Sequence, residues 1–299
     1  MYEGYFHLTA RPFSLTPDPE FLFLSASHQQ ALEHLLYGLE TGEGFIVVTG
    51  DIGVGKTTVC RALLRRLSGA FSTALVLNPM LTEKELVRGI LDDFAVETTN
   101  GTKKDYLDAL NRYLLSEAER GRRPVLIIDE AQNLSPVLLE QVRLLSNLET
   151  EKRKLLQIVL IGQKELKDKL SLHSLRQLNQ RVTVRAEILP LTVAEQSRYI
   201  DHRLGVAGGA GRAFLSSGAE KVICRRSKGV PRRINMLCDR AFLSSYLRGG
   251  ARIEREDVYR ATESLSDSQG MGRRFLRWVP WVSPPLALLA ALVLYGWMA

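Results

Sequence analysis

Cysteine and histidine are scarce in this chain of 299 residues, and neither is arranged to hold a metal. The three cysteines, Cys60, Cys224 and Cys238, are odd in number and lack the paired spacing of a zinc site. They are expected as buried free thiols in a reducing compartment. The five histidines form no ligand cluster. The first seven residues, Met-Tyr-Glu-Gly-Tyr-Phe-His, have neither the basic region nor the apolar core of a signal peptide, so the bulk of the chain is expected on the cytoplasmic side. No internal repeat or long low-complexity tract interrupts the sequence. A hydrophobic share of 45% with a charged share of 24% excludes wholesale disorder.

What is present begins with length and charge. A chain of this size suggests about two domains. The formal net charge of +7 would suit a nucleic-acid or acidic-membrane partner. The arginines are spread along the chain, however, and several fall in the motifs below, so charge alone does not make nucleic acid the expected partner.

Residues 45 to 58 carry the strongest signal. A β-branched apolar run, Phe45 to Thr49, reads as a buried strand. It leads into Gly50-Asp51-Ile52-Gly53-Val54-Gly55-Lys56-Thr57, a complete G-x-x-x-x-G-K-[ST] phosphate loop, and Thr58 opens a helix-like stretch to Leu67. Gly50, Gly53 and Gly55 let backbone N–H groups close on phosphate oxygens, at the positive end of the helix dipole. Lys56 is expected to reach the β- and γ-phosphates, and the Thr57 hydroxyl to take a Mg²⁺ position. The alternative, a glycine turn followed by a solvated lysine, does not account for the strand and helix on either side. The expected ligands are ATP and Mg²⁺, cradled by residues 50 to 58.

Further strands are expected at 72–77, 125–128, 156–161 and 182–188, with helical patterns at 27–40, 82–95, 103–120, 135–148 and 164–170. Alternation of this kind predicts an α/β fold with a parallel sheet covered on both faces. After Pro190 the strands stop, and 192–204, 212–226, 231–248 and 254–264 read as helices. The expected organisation is therefore an extended N-terminal segment (1–26) packed on the ATPase core, an αβα nucleotide-binding domain (27–190), a helical lid (191–265) and a basic linker (266–277). Residues 278–299 close the chain without a single charge. Their 22 residues are long enough for a bilayer core of about 30 Å. Aromatics lie near both ends, and Arg273, Arg274 and Arg277 precede them. A single-pass inner-membrane anchor is the expectation; Pro280, Pro284 and Pro285 favour the alternative of a shorter interfacial or packing tail.

Outside the loop, Pro124 to Gln132 (Pro-Val-Leu-Ile-Ile-Asp-Glu-Ala-Gln) reads as a strand with two carboxylates at its C-terminal edge, where open α/β sheets bind ligands. Asp129 is expected to hold Mg²⁺ and Glu130 to orient and deprotonate the attacking water. Gln163 ends the next strand and would hold that water near the γ-phosphate. Arg176 and Arg181 flank the start of the last strand; Arg181 is the favoured finger for a neighbouring subunit's ATP. Gly229-Val230-Pro231-Arg232 opens a helix, and Arg232 would bend over the γ-phosphate.

Together these motifs resemble the AAA+ ATPases, with Walker A at 50–57, Walker B at 125–130, a sensor 1 position at Gln163 and a sensor 2 arginine in Gly-Val-Pro-Arg. A narrower resemblance covers residues 1 to 265. Pro-Phe-Ser-Leu-Thr-Pro-Asp-Pro-Glu-Phe, His28, Asp-Glu-Ala-Gln-Asn-Leu, Leu-Arg-Gln-Leu-Asn-Gln-Arg-Val and Gly-Val-Pro-Arg-Arg-Ile-Asn look like the ExeA-type secretion ATPases. That resemblance implies ATP hydrolysis coupled to assembly of an envelope apparatus, through inner-membrane secretion or exopolysaccharide-export partners and a homo-oligomer, a hexamer by analogy. ExeA-type proteins continue into a periplasmic peptidoglycan-binding region, whereas this sequence stops at Ala299; relatives from exosortase and exopolysaccharide loci are therefore the nearer comparison. Two other readings compete: a DNA-handling ATPase similar to transposition target-selection proteins, and a scaffold that binds ATP with little turnover.

Overall fold

Strands β1 (Phe45–Gly50), β2 (Phe71–Val76), β3 (Arg123–Ile128), β4 (Gln157–Gly162) and β5 (Val182–Ile188) pair in parallel in the order β2-β3-β4-β1-β5. The computed structural model describes residues 1–265 apart from 17, 68, 78–80, 100, 150–153 and 211–213. The central strands are apolar on both faces because both are covered, which alternation of helix and strand predicts. Ile46, Val48, Val125, Ile127, Val159 and Ile161 meet α2 (Ala26–Glu40) and α3 (Lys56–Arg66) on one face. Val47, Leu126, Ile128, Ile158 and Leu160 face the other way, toward α4 (Glu83–Asp93), α5 (Lys103–Glu119) and α6 (Pro136–Leu145). Short helices α7 (Lys164–Leu170) and α8 (Arg176–Arg181) link β4 to β5.

Helix starts follow their capping residues. Thr82 and Glu85 form a capping box on α4, Thr102 and Asp105 do so on α5, and Ser135 caps α6 ahead of Pro136. By contrast, α3 has no side-chain cap: its N-cap is Gly55, in the left-handed conformation at φ 103°. The first N–H groups of α3 are thereby left to the phosphate loop.

The described chain divides into two compact units. One holds the sheet and comprises Thr16–His202 and Lys228–Arg233. It takes in most of α9 (Val193–Leu204), whose Glu195 accepts from Ala26 N at 2.9 Å and whose Tyr199 ring lies 5.6 Å from Phe23.

The other unit comprises, among the described residues, Met1–Leu15, Arg203–Ser227 and 234–265. It contains α1 (Tyr2–Tyr5), α10 (Ser217–Ser227), most of α11 (Pro231–Leu247) and α12 at 255–265. Its centre is the fully buried Phe242, ringed by Tyr2, Phe6, Phe13 and Phe214 at centroid separations of 5.1–5.9 Å. Asp239 accepts from Tyr2 Oη at 2.8 Å and from Arg11 Nε and Nη2 at 3.0 and 2.8 Å. Arg203 donates to the carbonyls of Pro12 and Ser14. The N-terminal segment expected on the ATPase core over 1–26 therefore divides: 1–15 belong with the helical unit, because their aromatic rings complete a core that those helices leave open. The expected boundary at 190 also moves, since α9 stays with the sheet as far as His202.

Cys60, Cys224 and Cys238 are buried free thiols, and burial pushes the Cys60 thiol up to about 12. Among the described residues no helix is long and apolar enough to cross a membrane. The expected basic linker and membrane anchor, 266–299, lie outside the described residues.

Candidate functional site

The C-terminal edge of β1 gives way to a loop that turns through Gly53 and Gly55, both at positive φ (79° and 103°), before α3 begins at Lys56. A Cβ on Gly53 would lie 2.7 Å from Arg232 Cβ, and one on Gly55 2.7 Å from His28 Nε2. No other residue type fits either place. Lys56 is buried and its Nζ donates to the carbonyls of Gly50 and Asp51, each at 3.0 Å. Burial holds its ammonium below the usual lysine range, opposed by the charges of Glu130, Asp129 and Asp51. Ile52 stands 62% exposed at the tip of the loop, Val54 is buried under it, and Thr58 is half-buried on α3. Asp51 pairs with Lys164 at 3.0 Å.

Two strands away, β3 ends at the carboxylates. Thr57 Oγ1 donates to Asp129 Oδ2 at 2.8 Å, and Asp129 Oδ1 accepts from Glu130 N at 2.9 Å. Glu130 sits in the left-handed region (φ 53°), an uncommon conformation for a residue with a side chain. Gln132 Nε2 donates to Glu130 Oε2 at 2.6 Å, and Gln163 Nε2 approaches the same oxygen at 3.4 Å. Gln163 N in turn donates to Gln132 Oε1 at 2.9 Å. Lys56, Thr57, Asp129, Glu130 and Gln163 thus converge, because β4 lies between β1 and β3 and all three strands end at the same edge.

The donor set fits a triphosphate with Mg²⁺. A hydroxyl and a carboxylate within hydrogen-bond distance are the hard oxygen ligands that Mg²⁺ takes while keeping several waters. The glycine turns leave room for phosphate oxygens where a side chain would clash.

Arg232 also comes to the loop: its N–H donates to Gly53 O at 3.3 Å and its guanidinium is exposed. Arg176 and Arg181 do not. Arg181 closes α8, and Val182 beside it pairs with Phe45 at the start of β1, so it stands at the opposite edge of the sheet from the loop. Its Nη1 donates to Ser146 Oγ at 2.7 Å, while Arg176 is exposed at the start of α8.

Two residues at this site were not among the sequence-predicted ones. Gln132 follows the acidic pair by two positions, a spacing with no signal of its own until the 3-10 turn at Ala131–Asn133 folds it back. His28, quoted above only for the family resemblance, closes the capping box of α2 with Ser25, and its ring contacts the phosphate loop.

Comparison with known proteins agrees with this geometry. Residues 39–170 match the AAA domain family. Over 99% of its length the chain is 42% identical to general secretion pathway protein A of Aeromonas hydrophila, and it spans 53% of that protein. Cdc6p of Pyrobaculum aerophilum is similar in structure (TM-score 0.65, 20% identity, 85% of this chain and 70% of that one). So are the ORC2 protein of Aeropyrum pernix in its ADPNP–ADP complexes (0.62, 16%, 85% and 71%) and the RuvB branch migration motor of Thermotoga maritima (0.55, 19%, 82% and 73%). At these identities the three structures establish the fold and nothing further.

Proposed function

We propose that the chain, which matches the AAA domain over residues 39–170 and is similar to general secretion pathway protein A, is an AAA-type ATPase that drives assembly or operation of an envelope secretion or exopolysaccharide-export system. The observation that carries the ATPase reading is the junction of Thr57, Asp129 and Glu130 beside a complete phosphate loop. In this reading the loop N–H groups and Lys56 bind the phosphates, while Thr57 and Asp129 hold Mg²⁺, which neutralises phosphate charge. Glu130 orients the attacking water and receives its proton, with Gln163 alongside. Arg232 reaches the γ-phosphate from the first turn of α11. Arg181 lies at the far edge of the sheet from its own loop, so it serves a neighbouring subunit, and the working form is a ring, taken as a hexamer.

The envelope reading rests on the likeness to general secretion pathway protein A and on the uncharged stretch 278–299, which would hold the chain at the inner membrane with the ATPase unit cytoplasmic. The likeness to Cdc6p, ORC2 and RuvB is one of fold and does not favour the DNA-handling alternative.

The experiment is Mg²⁺-dependent ATP hydrolysis by wild type, Lys56→Ala and Glu130→Gln, with membrane fractionation of cells expressing each. Turnover by wild type alone, in a membrane-bound protein, supports the proposal. No affinity of wild type for adenine nucleotides removes the ATPase reading, and an intact chain found wholly in the soluble fraction removes the anchor.

A further inference from the structure

Beneath the phosphate loop lies an imidazole with both nitrogens engaged. His28, in the first turn of α2, is buried at 2% exposure. Its Nδ1 receives the backbone N–H of Ser25 at 3.1 Å and lies 2.8 Å from Ser25 Oγ. A backbone N–H can only donate, so Nδ1 carries a lone pair and the ring hydrogen is on Nε2. That Nε2 is 2.7 Å from Val54 O, within the loop and next to Gly55, whose missing Cβ makes room for the ring. The imidazole therefore joins the start of α2 to the middle of the phosphate loop by one donated and one accepted hydrogen bond.

Val54 O is the handle of the loop. The peptide plane that carries this carbonyl also carries the N–H of Gly55, so fixing the oxygen aims that N–H into the cradle. A free loop of three glycines would sample many such orientations, and each would weaken phosphate binding. We propose that His28 is a positioning residue which presets the phosphate loop for nucleotide through Val54, and that only its neutral form does so.

The proposal rests on the nucleotide-binding reading of the loop. A proton added at Nδ1 would confront the Ser25 N–H, and the three-way contact would open. The charged neighbours do not rescue the cation. Glu195, from α9, favours it, but that carboxylate is already occupied by Ala26 N, Thr192 N and Thr192 Oγ1. On the loop side, the ammonium of Lys56 is turned to the carbonyls of Gly50 and Asp51. Burial accordingly holds the His28 ring below the usual histidine range, against the pull of Val54 O and Glu195. Acidification thus weakens nucleotide binding by a route separate from the titration of the nucleotide itself.

The test is the dissociation constant of MgADP for the full chain between pH 7.5 and 5, in wild type, His28→Gln and His28→Phe. Glutamine carries an amide donor that reaches about as far as Nε2 and does not titrate; phenylalanine fills the space without a donor. The phosphates of ADP titrate equally for all three, so the readout is the difference between proteins. Wild type and His28→Gln are expected to bind within about threefold of each other at pH 7.5, a gap of under 1 kcal/mol. Wild type should then lose about tenfold more affinity than His28→Gln on acidification, the factor set by about 1.4 kcal/mol. His28→Phe should bind about tenfold more weakly at pH 7.5, with circular dichroism confirming its fold. Superimposable pH profiles for wild type and His28→Gln would overturn the proposal. So would unchanged affinity of a folded His28→Phe. If wild type binds no ADP even at pH 7.5, the nucleotide reading falls and takes this one with it, an outcome distinct from both.

Discussion

Thr57 and Asp129 are 72 residues apart in sequence, and the hydroxyl of the first donates to the carboxylate of the second at 2.8 Å. The contact links the phosphate-loop helix to the acidic end of β3 and defines where a divalent cation would be shared. Asp129→Asn keeps the shape of this pair but removes the one negative charge it offers Mg²⁺. ATP turnover should fall by about 10²–10³-fold, as for loss of a key electrostatic contact to the transition state. Titration of nucleotide with and without Mg²⁺ should show that the metal no longer strengthens binding.

On the proposed reading Glu130 is the base and Gln132 holds it, and two variants separate the two roles. Glu130→Gln removes the base, so turnover should drop by about 10²–10⁴-fold while ATP binding stays near that of wild type. Gln132→Leu leaves the base but frees Glu130 Oε2 from its 2.6 Å hydrogen bond. Misplacement alone should cost about 10–10²-fold. Single-turnover kinetics that find Gln132→Leu as fast as wild type would refute this use of the amide.

Arg181 offers a test of the ring. Arg181→Ala should bind ATP normally and hydrolyse it about 10³-fold more slowly, the lower range for a lost arginine finger. Ser146→Ala breaks only the 2.7 Å tether of the guanidinium and should change turnover far less. Undiminished hydrolysis by Arg181→Ala would transfer the assignment to Arg176.

The helical unit carries its own acid sensitivity. Asp257 is fully buried; burial alone would raise its carboxyl, but Arg248, the Glu254 N–H and the Ser244 hydroxyl outweigh that and hold it below the usual carboxylate range. A carboxyl lowered in the fold adds stability above its unfolded value, near 3.9, and that stability is lost as pH falls below this through the folded value. Asp257→Ala leaves these donors unmatched and should destabilise by about 1–3 kcal/mol at pH 7. Thermal unfolding from pH 7 to 2 should show the gap between wild type and variant closing at the acid end.

Much of the sheet unit was legible before any coordinates. Every strand lies within a residue or two of its expected run; in the central strands β1, β3 and β4 this follows from having no polar face, whereas the edge strand β5 alternates buried Val182, Ala186 and Ile188 with exposed Thr183, Arg185 and Glu187. The phosphate loop and the Asp129–Glu130 pair were equally plain, since phosphate binding demands glycines and a lysine at fixed spacing. What escaped was contact made by return. Gln132 joins the site only after a tight turn, and His28 does so from a helix 22 residues before the loop begins, where its place in the sequence gives no sign of the loop it meets. The N-terminal segment was legible as aromatic but not in its destination. Phe6 and Phe13 would suit any apolar surface, and only a second unit built around Phe242 determines that 1–15 complete it.

The position of β4 has one last implication. The strand that delivers phosphate contacts and the strand that delivers carboxylates never touch; β4 is the spacer between them, and Gln163 rides on its end. The distance between loop and carboxylates is therefore set by two ladders of hydrogen bonds in series, and a one-residue slip in either would turn every side chain of a doubly buried strand to the wrong face. The spacing of the candidate site is thus tied to the integrity of the sheet's centre rather than to either loop alone.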